Sequence, residues 1–495
     1  MSQANETTND LNSTWQPQHL RQLAISALEQ RLASDPDNVP LLFERACLLG
    51  ESGNVNAAKA AYINILMLEP AHQGALNNLG TLLYQTGYRT AAQTAYSESV
   101  ARHPNDPLGH VNLANLLYEI GALEQAREHY QTALRLDPRQ IQAHQGLSYV
   151  LADLGDEQGA IFHRQKGFAA QPIFTMPYYG DRAPVSVVLL MSAVGGNTPT
   201  RWLLDDRVFQ VHTVMVEFWQ PTMGLPSHQI VFNAVSDADL TMHALHAAKS
   251  LLDFTNVPVI NPPKAIEKTG RVSTLGNFKD IPGILVPNVK RVSKAQITGV
   301  HQQNDELAME WEYPILLRAP GYHTGRHFIR VDHGSDLARA AAQLPRQDVL
   351  VMEYIHARGK DGQFRKYRVM MIDGQLYPLH MAISRDWKVH YFTSEMAENA
   401  SFRREEEEFL YHMPDVIGSR AMESLAIIQN QLGLNYAGVD FSLNDQGDLV
   451  LFEANATMIV TPPEENPIWD YRRPAVYTII HAVHGMILGK ILDQH

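Results

Sequence analysis

The 495-residue chain has a single cysteine, Cys47, so no disulfide can form within it and no thiolate cluster can hold a metal, as fits a reducing compartment. It also lacks a surplus of basic residues. The formal net charge is −13, which disfavours indiscriminate polyanion binding and leaves room only for a local basic pocket. No run approaches the roughly 20 apolar residues that span a bilayer. The polar start MSQANETTNDLNSTW has neither the basic head nor the apolar core of an export signal. These absences predict a cytoplasmic protein without nucleic-acid or membrane partners, and a disordered terminus over residues 1–17. What the chain does have is length, enough for two or three domains, each with its own core.

Self-similarity organises the first third. Pro36, Pro70, Pro104, Pro138 and Pro172 follow one another at a constant step of 34 residues. The same step links Gly53, Gly87, Gly121 and Gly155, then Ala58, Ala92, Ala126 and Ala160, then Tyr62, Tyr96 and Tyr130, and also Leu49, Leu83, Leu117 and Leu151. Between glycine and proline lies a helix-length segment such as ALEQAREHYQTALRLDP, whose alanine permits close helix approach and whose tyrosine fills the seam four residues later. Glycine ends the preceding helix where a left-handed residue is wanted, and proline stops the next one. The pattern resembles the tetratricopeptide repeat over residues 18–174, as a lone leading helix and four helix pairs. That resemblance implies an all-α superhelix whose concave groove receives a peptide or protein segment. Asn78, Asn112, Asn115 and Tyr118 are its groove-facing candidates, against plain helix solvation.

After Pro172 the segment QPIFTMPYYGDRAP has no periodicity and reads as a linker over 175–184. Beyond it VSVVLLMSA (185–193), QVHTVMVEFW (210–219) and HQIVFNAVS (228–236) are strand-length apolar runs, and DLTMHALHAAKSLLDFT (239–255) has helical spacing. Alternating strand and helix predict a parallel, helix-covered α/β subdomain over 185–265.

The last strands carry the chemistry. GVDFSL and DLVLFEA flank NDQG, a hairpin signal. If Asn444 and Gly447 bracket a two-residue turn, Asp440 lies opposite Leu451 and Gly438 opposite Glu453. Asp440, Glu453 and Asn455 then share one face, the two carboxylates as diagonal neighbours about 7 to 8 Å apart at the backbone. Gly438 would leave room for a ligand beside Glu453. Two carboxylates and a carboxamide supply the hard oxygen ligands that Mg²⁺ or Mn²⁺ prefers. The competing reading puts both acids on a solvated face; the apolar flanks Val450, Leu451, Phe452, Ala454, Ala456, Met458 and Ile459 argue for a buried Glu453 that needs a cation.

Five pieces in order make residues 185–495 resemble the ATP-grasp superfamily, the α+β fold of glutathione synthetase and protein-glutamate ligases. VPVINPPKAIEKTGR leads to Arg271, and YPILLRAP carries Arg318, at the two positions that resemble the family's nucleotide-contacting basic residues. Lysine is commoner there, and arginine still binds phosphate bidentately. GYHTGRH (321–327), with Gly325 and Arg326, resembles the loop over the phosphates. VLVMEYI (349–355) resembles the hinge on adenine, with Glu353, Tyr354 and Ile355. The hairpin resembles the metal strand pair, with Asp440, Glu453 and Asn455. The resemblance implies an ATP-grasp domain over 266–495, its lid at 266–352 and its metal and nucleotide lobe at 353–495.

It also implies the activity. ATP phosphorylates a small-molecule or peptidyl carboxylate, an amine attacks the acyl phosphate, and an amide, ADP and phosphate result. Arg368, in FRKYRVMMIDG, resembles the arginine that holds the acyl phosphate in such ligases, with a surface salt bridge as its alternative, and Arg318 shares the catalytic assignment. Asn197, His380 and Arg385 are candidate substrate contacts, with Trp387 nearby; for His380 and His390 a structural role competes. The run RREEEEF (403–409) reads as a solvated face and not a metal site. Two further readings remain: a scaffold whose ligase site has become a nucleotide sensor, and an ATP-grasp kinase.

Overall fold

A computed structural model describes residues 17–298, 311–320, 327–345, 347–389, 391, 394–464 and 466–493. Gly325, Arg326 and His390 therefore lie outside the described residues, as does nearly all of the 1–17 terminus. The chain divides into two compact units: one holds the residues up to Ala170 with Met176–Val185 and Asp206–Gln210, the other holds Gln171–Thr175, Ser186–Asp205 and everything from Val211 onward. The segment read as a linker thus packs with the first unit along most of its length. Apart from Val185 and 206–210, the 185–265 portion falls in the same unit as the portion from 266 onward.

The first unit contains nine described helices: α1 (Pro17–Ser34), α2 (Val39–Glu51), α3 (Val55–Leu68), α4 (Gln73–Gln85), α5 (Arg89–Arg102), α6 (Pro107–Glu119), α7 (Leu123–Leu136), α8 (Ile141–Leu154) and α9 (Glu157–Phe168). This is the expected leading helix and four pairs. Gly53, Gly87, Gly121 and Gly155 all have φ between +74° and +88°, a left-handed turn that only glycine makes without strain. The four periodic alanines are fully buried, and Tyr62, Tyr96 and Tyr130 fill the seam beside them. Their hydroxyls reach positions one repeat apart: Tyr62 to Cys47 Sγ at 3.4 Å, Tyr96 to Thr81 at 3.1 Å and Tyr130 to Asn115 at 2.5 Å. Asn78 donates to the Tyr62 hydroxyl, and Tyr118 to Asp153. Three of the four groove candidates are thus engaged within the array, and Asn112 is half-buried.

The second unit has three described sheets. The first runs β1-β3-β2-β4-β5, with β1 (Ile173–Thr175), β2 (Val185–Met191), β3 (Phe209–Met215), β4 (Ile230–Asn233) and β5 (Val259–Ile260). The pairs β2–β4 and β4–β5 are parallel, as the α/β alternation predicts, and β1 is an antiparallel edge. The second sheet runs β7-β10-β8-β9, built from β7 (Val289–Ser293), β8 (Ile315–Arg318), β9 (Phe328–Val331) and β10 (Asp348–Glu353), all antiparallel. Helix Leu337–Ala342 shares its core. The third sheet runs β12-β11-β13-β14-β6, from β6 (Ile284–Leu285), β11 (Phe364–Ile372), β12 (Gln375–Ser384), β13 (Tyr436–Leu443) and β14 (Leu449–Asn455), with only β6 parallel to its neighbour.

Helical segment Ala400–Leu432 covers the third sheet, kinked where Pro414 interrupts the ladder and His412 and Gly418 leave helical geometry. The run Pro467–Leu492 bears on one sequence expectation: an 18-residue window within it has a mean hydropathy of 1.5, long and apolar enough to cross a bilayer by length and composition alone. In this fold it buries one side, Val476, Ile479, Ile480, Val483, Met486 and Ile487, and packs near β11 and β12. Asn261, held at φ +52°, ties β5 to β13: its carboxamide accepts from Asn435 N and Tyr436 N and donates to the Tyr436 carbonyl.

Candidate functional site

The β13–β14 connection differs from the predicted turn. Leu443 pairs with Leu449, so residues 444–448 form a five-residue loop in which Asn444 Oδ1 accepts from Gln446 N and Asp448 N. That moves the register by one residue. A bulge at Phe452 moves it by one more, so that Asp440 faces Glu453 directly and Gly438 faces Asn455. Two single-residue shifts restore the parity that one would have destroyed, and the two carboxylates share a face after all. The space expected beside Gly438 is filled: a Cβ there would meet Met458 Cγ at 2.6 Å and Met370 Sδ at 3.0 Å.

The rung continues sideways. Asp440 pairs with Arg368 on β11, and Arg368 with His380 on β12, so His380, Arg368, Asp440 and Glu453 stand in one line across four strands. Arg368 grips Asp440 with Nε on Oδ1 at 2.5 Å and Nη2 on Oδ2 at 2.8 Å. Lys366, two residues earlier on the same face, adds its ammonium at 3.1 Å. Burial alone would push the Asp440 carboxyl up; Arg368 and Lys366 outweigh it and hold the group well below the ordinary carboxylate range. His380 is pushed well down by burial and by Arg368 and Arg472, so it is neutral, and its Nδ1 is buried without a hydrogen-bond partner. Its ring lies 4.8 Å from that of Tyr391.

At the far end of the rung Glu453 pairs with Arg271. Burial pushes Glu453 up, Arg271 pulls it down with help from Arg318 and Arg368, and the balance settles at about 2. Arg271 opens helix Arg271–Phe278, and its backbone N–H donates to Asp239 at 2.8 Å. A cleft of about 550 Å³, counting its open mouth, joins these groups: Arg271, Arg318, Glu453 and Asn455 line it together with Asp237 and Asp239. Arg318 is partly buried, and that burial with the like charge of Arg271 pushes its guanidinium down to about 10. Asn455 turns its carbonyl oxygen to Thr457, accepting from N at 3.0 Å and Oγ1 at 2.7 Å.

The remaining candidates are placed elsewhere. Glu353 ends β10 and its carboxylate accepts from Asn288 N at 3.0 Å and Nδ2 at 2.8 Å. Tyr354 lies under the Arg330 guanidinium, 4.8 Å away, and meets Trp387 edge-on; Ile355 beside it is half-buried. Asn197 spends both ends of its carboxamide on the Ser192 backbone at 2.8 Å. Arg385 is exposed, and its backbone N–H donates to Glu395.

The acidic run over 403–409 is corrected in part. Glu407 and Glu408 are exposed, but Glu406 is fully buried, accepting from Met381 N and from the hydroxyls of Tyr391 and Tyr471, with Arg472 3.4 Å away. Burial pushes its carboxyl up and Arg472 pulls it back. Lys366 went unread in the sequence, although its spacing of two from Arg368 on a strand puts both on one face.

Comparison with known proteins bears on the first unit. Two family models match, one described as tetratricopeptide repeat at residues 43–107 and one as TPR repeat at 114–155. A search of curated proteins found no match. Among solved structures, MamA 41-end from Desulfovibrio magneticus RS-1 is 24% identical, with 30% of this chain and 84% of that one covered and a TM-score of 0.28. A tetratricopeptide repeat protein from Parabacteroides merdae ATCC 43184 is 22% identical over 30% of this chain and 59% of that one, with a TM-score of 0.27. The family matches fall on the helix array with its 34-residue step, and the N-terminal region of this chain is built of tetratricopeptide repeats.

Proposed function

We propose that the α/β unit is an ATP-dependent ligase of the ATP-grasp class, joining a carboxylate to an amine, and that the repeats recruit a peptide or protein carrying or accompanying its substrate. The observation that carries this reading is the rung of Arg368, Asp440 and Glu453, whose Glu453 end opens into the same cleft as Arg271 and Arg318. A sheet with parallel pairs, followed by one antiparallel and one largely antiparallel sheet, is consistent with the α/β subdomain and α+β domain that the resemblance implies.

The donor chemistry fits a hard divalent ion. Asp440 and Glu453 would hold Mg²⁺ or Mn²⁺ from one sheet face, and Asn455 would join only by loosening its bonds to Thr457. Such an ion, when bound, neutralises phosphate charge. Arg271 and Arg318 bind phosphate oxygens, and the partial burial of Arg318 keeps that interaction strong. Arg368, fixed by Asp440, orients the reacting carboxylate.

The test is ADP release by the full chain with Mg²⁺ and ATP, using a panel of carboxylates and peptides with hydroxylamine as the trapping amine. The expected result is hydroxamate formation together with ADP, both lost in the D440A/E453A double variant. Full turnover by that variant would overturn the site assignment.

A second reading, a nucleotide-sensing scaffold, is favoured by one fact: both carboxylates already carry cationic partners and the Asn455 oxygen is satisfied. ATP binding in calorimetry without turnover of any acceptor would decide for it.

A further inference from the structure

Two ionised carboxylates directly opposite on one sheet face repel each other, and partial burial strengthens that repulsion. Each is met by a side-chain cation. Those on Asp440 come from β11, the next strand, where the register fixes Arg368 and Lys366 in place. The cation on Glu453 is of another kind. Arg271 belongs to no strand of this sheet; it reaches in from the first residue of helix Arg271–Phe278, 182 positions away in the chain, and its side chain also lines the cleft with Arg318. Arg271 and Glu453 keep 11% and 19% of their side-chain surface exposed, so the pair sits at the cleft wall, within reach of an incoming ligand.

We propose that Arg271 is a built-in stand-in for the metal at Glu453: it holds the carboxylate until nucleotide arrives, then exchanges it for phosphate oxygens, so that divalent cation and ATP bind as a coupled pair. This rests on reading the cleft as a nucleotide site. A divalent cation binding there without nucleotide must displace a guanidinium and meets Arg271, Arg368 and Lys366 around only two facing carboxylates, a surplus of positive charge. The Asp237 and Asp239 carboxylates at the cleft do not offset it freely, because Asp237 accepts from Asp239 N and Leu240 N and Asp239 from Arg271 N. A triphosphate supplies the missing negative charge and a new partner for Arg271. Coupling of this kind is reciprocal: each ligand tightens the other by the same factor.

The experiment is a titration of the full-length protein with Mn²⁺, following free Mn²⁺ by electron paramagnetic resonance, with and without a non-hydrolysable ATP analogue. In the unaltered protein the analogue should tighten Mn²⁺ by about tenfold or more. In R271Q, Mn²⁺ alone should bind about tenfold tighter than in the unaltered protein, and the gain from the analogue should shrink toward one. R271K keeps a cation at Glu453 and should keep weak binding of Mn²⁺ alone, which separates displacement from misfolding. If R271Q binds the analogue but takes up Mn²⁺ alone no more tightly than the unaltered protein, the exchange is wrong and the nucleotide-site reading stands. If the unaltered protein binds neither the analogue nor Mn²⁺ with it, the nucleotide-site reading fails and the exchange falls with it.

Discussion

Arg368 clasps Asp440 with two parallel hydrogen bonds of 2.5 and 2.8 Å, and only 3% of the Asp440 side chain remains exposed. Removing the guanidinium strands a buried carboxylate. R368M should destabilise the α/β unit by about 3 kcal/mol, the low end for breaking a buried pair because Lys366 remains. The double change R368M/D440L should cost less than R368M alone, since it removes the stranded charge with the pair. Urea unfolding followed by tryptophan fluorescence reads this unit selectively, because five of the six tryptophans lie beyond residue 200. Equal loss in the single and double variants would show that the pair is not what holds this region.

Acid should loosen the same unit. The Glu453 carboxyl is held at about 2 in the fold against an ordinary 4.5, and Asp440 is also held down. The unfolded chain takes up these protons first as pH falls, so the stability they contribute is complete above about pH 4.5 and is lost progressively toward pH 2. The fluorescence-detected melting temperature should fall across that window, and less steeply in E453Q, where one of the two titrating groups is gone. An identical slope in E453Q would place the acid sensitivity elsewhere.

The repeat array was legible because its signals are local. A glycine needed at φ near +80°, an alanine under a crossing helix and a tyrosine in the seam each recur at 34 residues whatever the rest of the chain does. The hairpin was legible only as faces. Period-two alternation put Asp440 and Glu453 on one side, but loop length and the Phe452 bulge, which set who stands opposite whom, leave no mark in alternation. Partners distant in sequence were not legible at all. Glu406 looked like one of four solvated acids; it is buried because Tyr391, 15 residues before it, and Tyr471 and Arg472, well beyond it in the chain, close around it. Arg271 was picked out as a phosphate ligand, and nothing in the sequence announced that it pairs with Glu453.

Two histidine pairs recur at the repeat step. His110 meets His129 with Nδ1 to Nδ1 at 3.0 Å, and His144 meets His163 at 2.7 Å, while the inner histidines give Nε2–H to the carbonyls of Pro104 and Pro138. With that proton placed, the inner Nδ1 accepts and the outer Nδ1–H donates. Burial, then the neighbouring histidine, lowers the pKa of His129 and of His163, opposed by Glu128 and Asp156 respectively. A lowered folded pKa means stability present above the unfolded value of about 6.5 and lost as pH falls below it. Far-ultraviolet circular dichroism melts between pH 7.5 and 5.5 should show helix loss at lower temperature as pH falls. The change should be smaller in H129Q/H163Q, and an unchanged pH slope in that variant would remove the pairs from the account.

Glycines in helices separate packing from propensity. Gly80 in α4 lies against Tyr96: a Cβ would meet Cε1 at 2.6 Å and Cδ1 at 2.7 Å, and the ring cannot retreat without breaking its hydroxyl contact with Thr81. Gly485, in helix Arg473–Leu492, is exposed and has nothing within 4 Å of that position. Alanine helps any helix interior by about 0.5–1 kcal/mol relative to glycine, so G485A should stabilise by that amount. G80A gains the same propensity and loses more to overpacking, about 1–3 kcal/mol. The net expectation is destabilisation of the repeats, seen as a lower midpoint in the circular-dichroism unfolding curve, with the seam hydrogen bond lost as well. A neutral G80A would mean that α4 and α5 can part far enough to relieve contacts of 2.6 and 2.7 Å, and the tyrosine seam would then be a looser joint than its buried, hydrogen-bonded ring implies.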